Sequence, residues 1–147
     1  MRVMGLDVGD RRIGVAVSDP EGWLAQGLTV ITRTTLSRDL SAIQSIAEEQ
    51  GVEKIVVGLP RRLDGTIGPQ AEKSQEFGRA LHERVGIPVV FWDERLSTVA
   101  AQKMMISTGV KRARRKSTID MAAATVMLQG YLDYLGGGER ERGEPSP

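Results

Sequence analysis

The chain has 147 residues, of which 40% are hydrophobic and 27% charged, as expected for one soluble globular domain. It contains no cysteine and one histidine, which excludes disulfides, thiolate metal sites and multi-histidine zinc sites. A formal net charge of +1 gives no overall bias toward nucleic acid. No apolar run is long enough to span a membrane, and the first residues enter a strand pattern directly, so we expect neither a membrane segment nor a signal peptide.

Apolar runs rich in Val and Ile predict five strands, at 3–8, 13–18, 26–32, 54–59 and 88–92. Helical periodicity predicts four helices: one between an N-cap at Ser37 and a stop at Gly51, and others at about 69–84, 96–107 and 117–135. Ser117 is the expected N-cap of the last helix, with Asp120 three residues later as in a capping box.

The order of these elements, β-β-β-α-β-α-β-α-α, indicates an α/β fold with a five-stranded mixed sheet and helices on both faces. We expect one domain over residues 1–135. The polar, glycine-containing stretch 136–147 is typical of a disordered tail.

Asp7 lies in the apolar run 3–9, near the end of the first predicted strand. A carboxylate in an apolar strand is costly unless it is paired or bound to a metal. A turn-forming role explains Asp7 poorly, because Asp10 already serves the turn that follows. We therefore interpret Asp7 as a metal ligand or as a group that acts on phosphate.

Two further acidic positions can meet Asp7 in such a sheet. The pair Asp93 and Glu94 follows the fifth strand, and Asp120 lies near the start of the last helix. Three converging carboxylates suit Mg²⁺ or Mn²⁺ and metal-assisted phosphodiester hydrolysis. Taken singly, Asp93 and Glu94 are more typical of a helix cap with a surface ion pair, and Asp120 fits helix capping about as well as it fits a ligand. The pattern leaves open whether Asp93 or Glu94 faces the site.

Positive charge is concentrated directly before the last helix, where five cations occupy six positions: Lys111, Arg112, Arg114, Arg115 and Lys116. We interpret this loop as a phosphate-binding surface beside the acids, with a solvated charge run as the alternative. Arg61 and Arg62, after the fourth strand, either extend the same surface or are ordinary surface charges.

Residues 5–14 resemble the first phosphate-binding hairpin of the actin and sugar-kinase superfamily, but those enzymes need two such domains and this length provides one. Four motifs together resemble the YqgF/RuvX family of RNase H-like proteins over about residues 2–135. The motifs are Gly5–Gly9 with Arg12–Ala16, Val57–Pro60, Asp93–Thr98 and Lys116–Ala123.

This resemblance implies an RNase H-like fold, a cytoplasmic location and a nuclease that depends on Mg²⁺ or Mn²⁺. Carried over residue by residue, Asp7, Glu94 and Asp120 are the catalytic and metal-binding acids. Arg12 and Arg95 are expected to orient the acids or the substrate. Many RNase H-like nucleases have an acid at the end of strand four, where this chain has Leu59 and Pro60, so the acid after strand five must substitute.

The favoured substrate is structured RNA, namely the 5′ end of pre-16S ribosomal RNA. A first alternative is a Holliday junction resolvase that cuts four-way DNA junctions, which requires two sites related by a two-fold axis and therefore a dimer. The sequence shows no clear dimer helix, and both a monomer and a homodimer stay open. A second alternative is a non-catalytic nucleic-acid-binding module, although such a protein has no use for three acids that repel phosphate.

Overall fold

The computed structural model describes residues 1–94 and 115–142. Within these residues the chain forms five strands: β1 (Val3–Val8), β2 (Arg12–Ser18), β3 (Ala25–Thr32), β4 (Lys54–Leu59) and β5 (Val89–Asp93). The helices in the same residues are α1 (Leu36–Gln50), α2 (Pro69–Val85) and α3 (Arg115–Arg142). The strand predictions agree with these bounds to within one residue at each end.

The strands form one sheet in the order β3-β2-β1-β4-β5. β1 pairs antiparallel with β2, and β2 pairs antiparallel with β3. β4 pairs parallel with β1 and with β5, which places the carboxyl ends of these three strands at one edge of the sheet. The predicted five-stranded mixed sheet is confirmed.

The sheet buries an apolar layer on each face. On one face, alternate residues of the strands, such as Leu6 and Val57, pack with the apolar sides of α1 and α2. On the other face, Val3, Ala16 and Val56 pack against α3. Successive side chains of a strand point to opposite faces, so Asp7, which follows Leu6, lies on the α3 face.

Small residues let α3 lie close to the sheet. A Cβ atom on Gly14 in β2 would overlap the carbonyl oxygen of Asp120, and one on Gly5 in β1 would stand 2.8 Å from the Cβ atom of Leu128. Glycine inside a strand often marks such a close approach. The first turns of α3 are therefore held directly against β2, the strand that pairs with β1.

Two predicted helix caps were wrong. The N-cap of α1 is Thr35, whose hydroxyl accepts the backbone N–H of Arg38, and Ser37 lies inside the first turn. α3 already includes Arg115, so Ser117 is within the helix. The predicted end of α1 is confirmed, since Gly51 adopts the left-handed conformation with φ 65°.

The predicted helix at 96–107 lies outside the described residues. The backbone of α3 is helical through 136–142, so it extends into the stretch that the sequence predicts as a tail. The domain boundary at residue 135 and the disorder of the tail stay predictions. No helix among the described residues combines the length and hydropathy that a membrane span needs.

Candidate active site

Asp7 and Glu94 come from strands that are not neighbours. Asp7 lies in β1 opposite Gly14 of β2, and Glu94 directly follows β5. β4 separates β1 from β5. The two side chains nevertheless meet through a hydrogen bond, on the face of the sheet that α3 covers.

The meeting of the two acids changes the protonation of Glu94. Burial, followed by the hydrogen bond to Asp7 and the negative charges of Asp7 and Asp93, raises the pKa of Glu94 to about 9. At neutral pH the protonated Glu94 carboxyl donates this hydrogen bond to Asp7.

Gly58 leaves the space through which Glu94 reaches Asp7. Gly58 lies in β4 opposite Trp92 of β5. A Cβ atom on Gly58 would overlap Oε1 of Glu94 and would stand 2.8 Å from its Cδ atom. The Glu94 side chain thus lies over the backbone of β4 at the one position where that strand has no side chain on this face.

The structure also shows which of Asp93 and Glu94 lies on the same face of the sheet as Asp7. Trp92 packs in the layer that faces α3, where its ring lies 5.6 Å from that of Tyr131. The alternation of the strand then directs Asp93 to the opposite face and returns Glu94 to the face of Asp7. This placement agrees with the acid that the family resemblance implies.

Asp120 lies on the same face but contacts a different partner. Nε of Arg12 donates a hydrogen bond to Oδ2 of Asp120 at 2.7 Å, in a partly exposed ion pair. The backbone of Asp120 rests on Gly14, which is paired with Asp7. Arg12 thus contacts one of the predicted acids, and its role in orienting acids or substrate stays a prediction.

The described residues contain no group of three or more His, Cys, Asp or Glu side chains placed to hold one metal ion. Asp7 and Glu94 form a pair of oxygen donors, and Asp120 is held by Arg12 instead of joining them. A pair of carboxylates fits Mg²⁺ or Mn²⁺, because these hard cations accept one or two carboxylates and complete their coordination with water and substrate phosphate. A cation bound by the two carboxyls would neutralise the negative charge that helps to raise the pKa of Glu94. The assignment of Asp120 as a third ligand stays a prediction.

The predicted basic residues are described only in part. Arg61 lies in the loop after β4, where its guanidinium donates a hydrogen bond to the carbonyl of Gly65 at 3.3 Å. Arg115 and Lys116 form the first positions of α3. Arg95, Lys111, Arg112 and Arg114 lie outside the described residues, and their predicted contacts with phosphate stay predictions.

One charged residue that contacts the turn after Asp7 was missed by the sequence analysis. Arg33, which follows β3, donates to the carbonyl of Gly9 at 2.9 Å and to the buried carboxylate of Asp39 at 3.1 Å. Its guanidinium also lies over the ring of Phe77. Arg33 therefore connects the turn after Asp7 with both α1 and α2 through these contacts. Nothing in the sequence pattern points to this contact, although glycines within apolar strands do signal the close approaches at Gly14 and Gly58.

Comparisons with known proteins agree with this architecture. A family model described as "RuvX: Holliday junction resolvase" matches residues 1–134. A protein of Moorella thermoacetica named "Putative pre-16S rRNA nuclease" is 55% identical over 136 residues, which cover 92% of this chain and 97% of the relative. A protein of the same name from Desulforamulus reducens is 54% identical over 133 residues, covering 90% and 97%.

Among solved structures, Thermus thermophilus RuvC in complex with a Holliday junction substrate superposes with a TM-score of 0.66 at 19% identity, over 94% of this chain and 96% of that one. The fowlpox virus Holliday junction resolvase superposes with a TM-score of 0.56 at 11% identity, over 91% and 99%. Both likenesses concern the fold, and they confirm the predicted RNase H-like architecture.

Proposed function

We propose that this chain, which belongs to the RuvX family, is a divalent-metal-dependent nuclease that hydrolyses phosphodiester bonds in structured nucleic acid. The pairing of Asp7 with Glu94 is the observation that carries this function. Two carboxyls from strands that are not adjacent meet through a hydrogen bond, and burial and the neighbouring negative charges raise the pKa of Glu94. Such perturbed acids are concentrated at functional sites, and the names of the family and of its relatives support nuclease chemistry.

A bound Mg²⁺ or Mn²⁺ lowers the pKa of a coordinated water and stabilises negative charge on the phosphate. Asp7 and Glu94 would hold the ion through their carboxylate oxygens after Glu94 releases its proton. Asp120 would be the third ligand once its carboxylate leaves Arg12. Arg12 is then free to contact a phosphate oxygen of the substrate.

The proposed substrate is pre-16S ribosomal RNA, because relatives that are more than half identical are named "Putative pre-16S rRNA nuclease". Cleavage at the 5′ end of this RNA and a cytoplasmic location are the finer parts of the proposal, and they rest on the family resemblance. We assign phosphate binding to the predicted basic residues, which are Arg12, Arg61, Arg95, Lys111, Arg112, Arg114, Arg115 and Lys116. Such contacts position the backbone of a nucleic acid and carry no sequence information of their own.

A second candidate is the resolution of four-way DNA junctions. The description of the family model supports it. This function requires a homodimer that presents two acid pairs to two symmetry-related strands, whereas a monomer suffices to cut RNA. The substrate and the oligomeric state can therefore be tested together.

The test compares cleavage of an rRNA precursor and of a four-way DNA junction by the purified protein with Mg²⁺ or Mn²⁺. Asp7→Asn should lower cleavage by more than about 100-fold, since it removes a charged ligand rather than one of its supports. Asp10→Asn is the matched control, because Asp10 lies in the adjoining turn. Among the described residues, its carboxylate forms an ion pair only with the exposed Lys73. The Asp10→Asn variant should cut like the wild type.

Each outcome separates the candidates. Undiminished cleavage by Asp7→Asn would overturn the metal assignment. Preference for the junction, together with a dimer in sedimentation, would favour the resolvase. A wild-type protein that binds with steep salt dependence and never cuts would be a binding module.

A further inference from the structure

The strand between the two acids has no side chain at the point where they meet. Gly58 of β4 lies on the α3 face, between Asp7 of β1 and Glu94 after β5. Neighbouring strands are about 4.8 Å apart, so β5 lies roughly 10 Å from β1. To close this distance, the Glu94 side chain has to lie across β4.

We infer, on the basis of the proposed function, that Gly58 is a positioning residue for the acid pair. Without a side chain at residue 58, Glu94 can reach Asp7 and supply the second carboxylate that β4 lacks, since β4 ends at Leu59 and Pro60 follows it. Gly58 touches neither substrate nor metal and acts through Glu94 alone.

Backbone conformation gives no other reason for a glycine at this position. The glycines with positive φ are Gly22, Gly51, Gly65 and Gly86, and Gly58 is not among them. Its backbone is that of an ordinary strand, which alanine adopts without strain. What an alanine would add is a methyl group, and the atoms that this group would overlap belong to Glu94.

The preceding residue on this face shows what a side chain does there. Val56 of β4 is fully buried in the layer beneath α3 and fills its position. A methyl group on residue 58 would likewise occupy the space above β4 and would force the Glu94 carboxyl away from Asp7. The pair would separate without any change in the number of acids in the chain.

A double-mutant cycle tests this inference through stability in metal-free buffer. Gly58→Ala should lower the urea midpoint in the wild-type background, because the methyl group and the Glu94 side chain compete for one space. In the Glu94→Ala background that space is empty, so the same substitution should leave the midpoint unchanged or raise it. Equal losses in the two backgrounds would show that the methyl group meets something other than Glu94 and would overturn the inference.

Binding of Mn²⁺, followed by calorimetry, gives the second measurement. Gly58→Ala should weaken it by about 10- to 100-fold, the range found when a group that orients a ligand is removed. Gly78→Ala is the matched control: its added Cβ would stand 2.6 Å from Cζ of Phe91 on the other face of the sheet, so it brings a similar clash away from the acids. It should bind Mn²⁺ like the wild type.

Full Mn²⁺ affinity in Gly58→Ala, or an equal loss in Gly78→Ala, would overturn the inference. Neither measurement uses cleavage. A protein that cuts no nucleic acid at all would refute the proposed function, and the stability cycle would still decide whether Gly58 positions Glu94.

Discussion

Glu94 should give the metal-free protein a pH dependence of stability that Glu94→Gln lacks. The carboxyl has an ordinary pKa of 4.5 in the unfolded chain, and its environment in the fold raises the pKa to about 9. Between these two values the folded state holds a proton that the unfolded state has released. The contribution of Glu94 to the free energy of unfolding therefore falls as the pH rises through this window, by roughly 3 kcal/mol from pH 6 to pH 8.

The sign follows from the direction of the shift. A pKa that is higher in the folded state means that the proton stabilises the fold, fully below the unfolded pKa and progressively less as the pH rises toward the folded pKa. Glutamine has the same size and donates an amide N–H to Asp7 at every pH. The free energy of unfolding of Glu94→Gln should thus vary less with pH than that of the wild type. As the pH rises, the variant should become more stable relative to the wild type.

Urea denaturation in the presence of a chelator measures this effect at several pH values between 6 and 8. At each pH, the free energy of unfolding of Glu94→Gln is subtracted from that of the wild type. This difference cancels the contributions of titrating groups that the two proteins have in common. In saturating Mn²⁺ this difference in free energy of unfolding should no longer fall as the pH rises, because an ion at the acid pair replaces the proton on Glu94. Parallel curves for the two metal-free proteins would show that the fold does not raise the pKa of Glu94.

Two further predictions concern the structure around the site. Asp39→Ala should lower the free energy of unfolding by about 3 kcal/mol, because it removes the buried partner of Arg33; a loss below about 1 kcal/mol in urea denaturation would show that this ion pair contributes little. Thr35→Ala should cost about 1 kcal/mol as the N-cap of α1, and the exposed Ser37→Ala less than about 0.5 kcal/mol; equal losses in thermal melts would contradict the cap at Thr35.

The strands were predictable because their apolar runs are short, rich in β-branched residues and bounded by turn residues. β1 and β4 have the predicted bounds. The helix caps were less predictable, because Thr35 and Ser37 are both good capping residues. The choice between them depends on which backbone is extended, and Thr35, with φ −109° and ψ 157°, is the extended one.

The acids were predictable as candidates and less so as a pair. An apolar setting singled out Asp7, and the family resemblance singled out Glu94. Their contact depends on the sheet order and on the register of Gly58 with Trp92, which local sequence does not specify. The same is true of Arg33, whose long side chain joins three elements that are distant in sequence.

The glycines on the α3 face connect the fold with the position of Asp120. Gly14 brings the backbone of Asp120 onto β2, directly beside the strand of Asp7, while Gly58 keeps the other side of Asp7 open for Glu94. Because directly opposite residues of an antiparallel pair lie about 5 Å apart, the backbone of Asp120 is already close to Asp7. If Asp120 is the third ligand that we propose, its carboxylate has to leave Arg12 before it can bind the ion. Binding of a divalent ion should accordingly break the ion pair between Arg12 and Asp120.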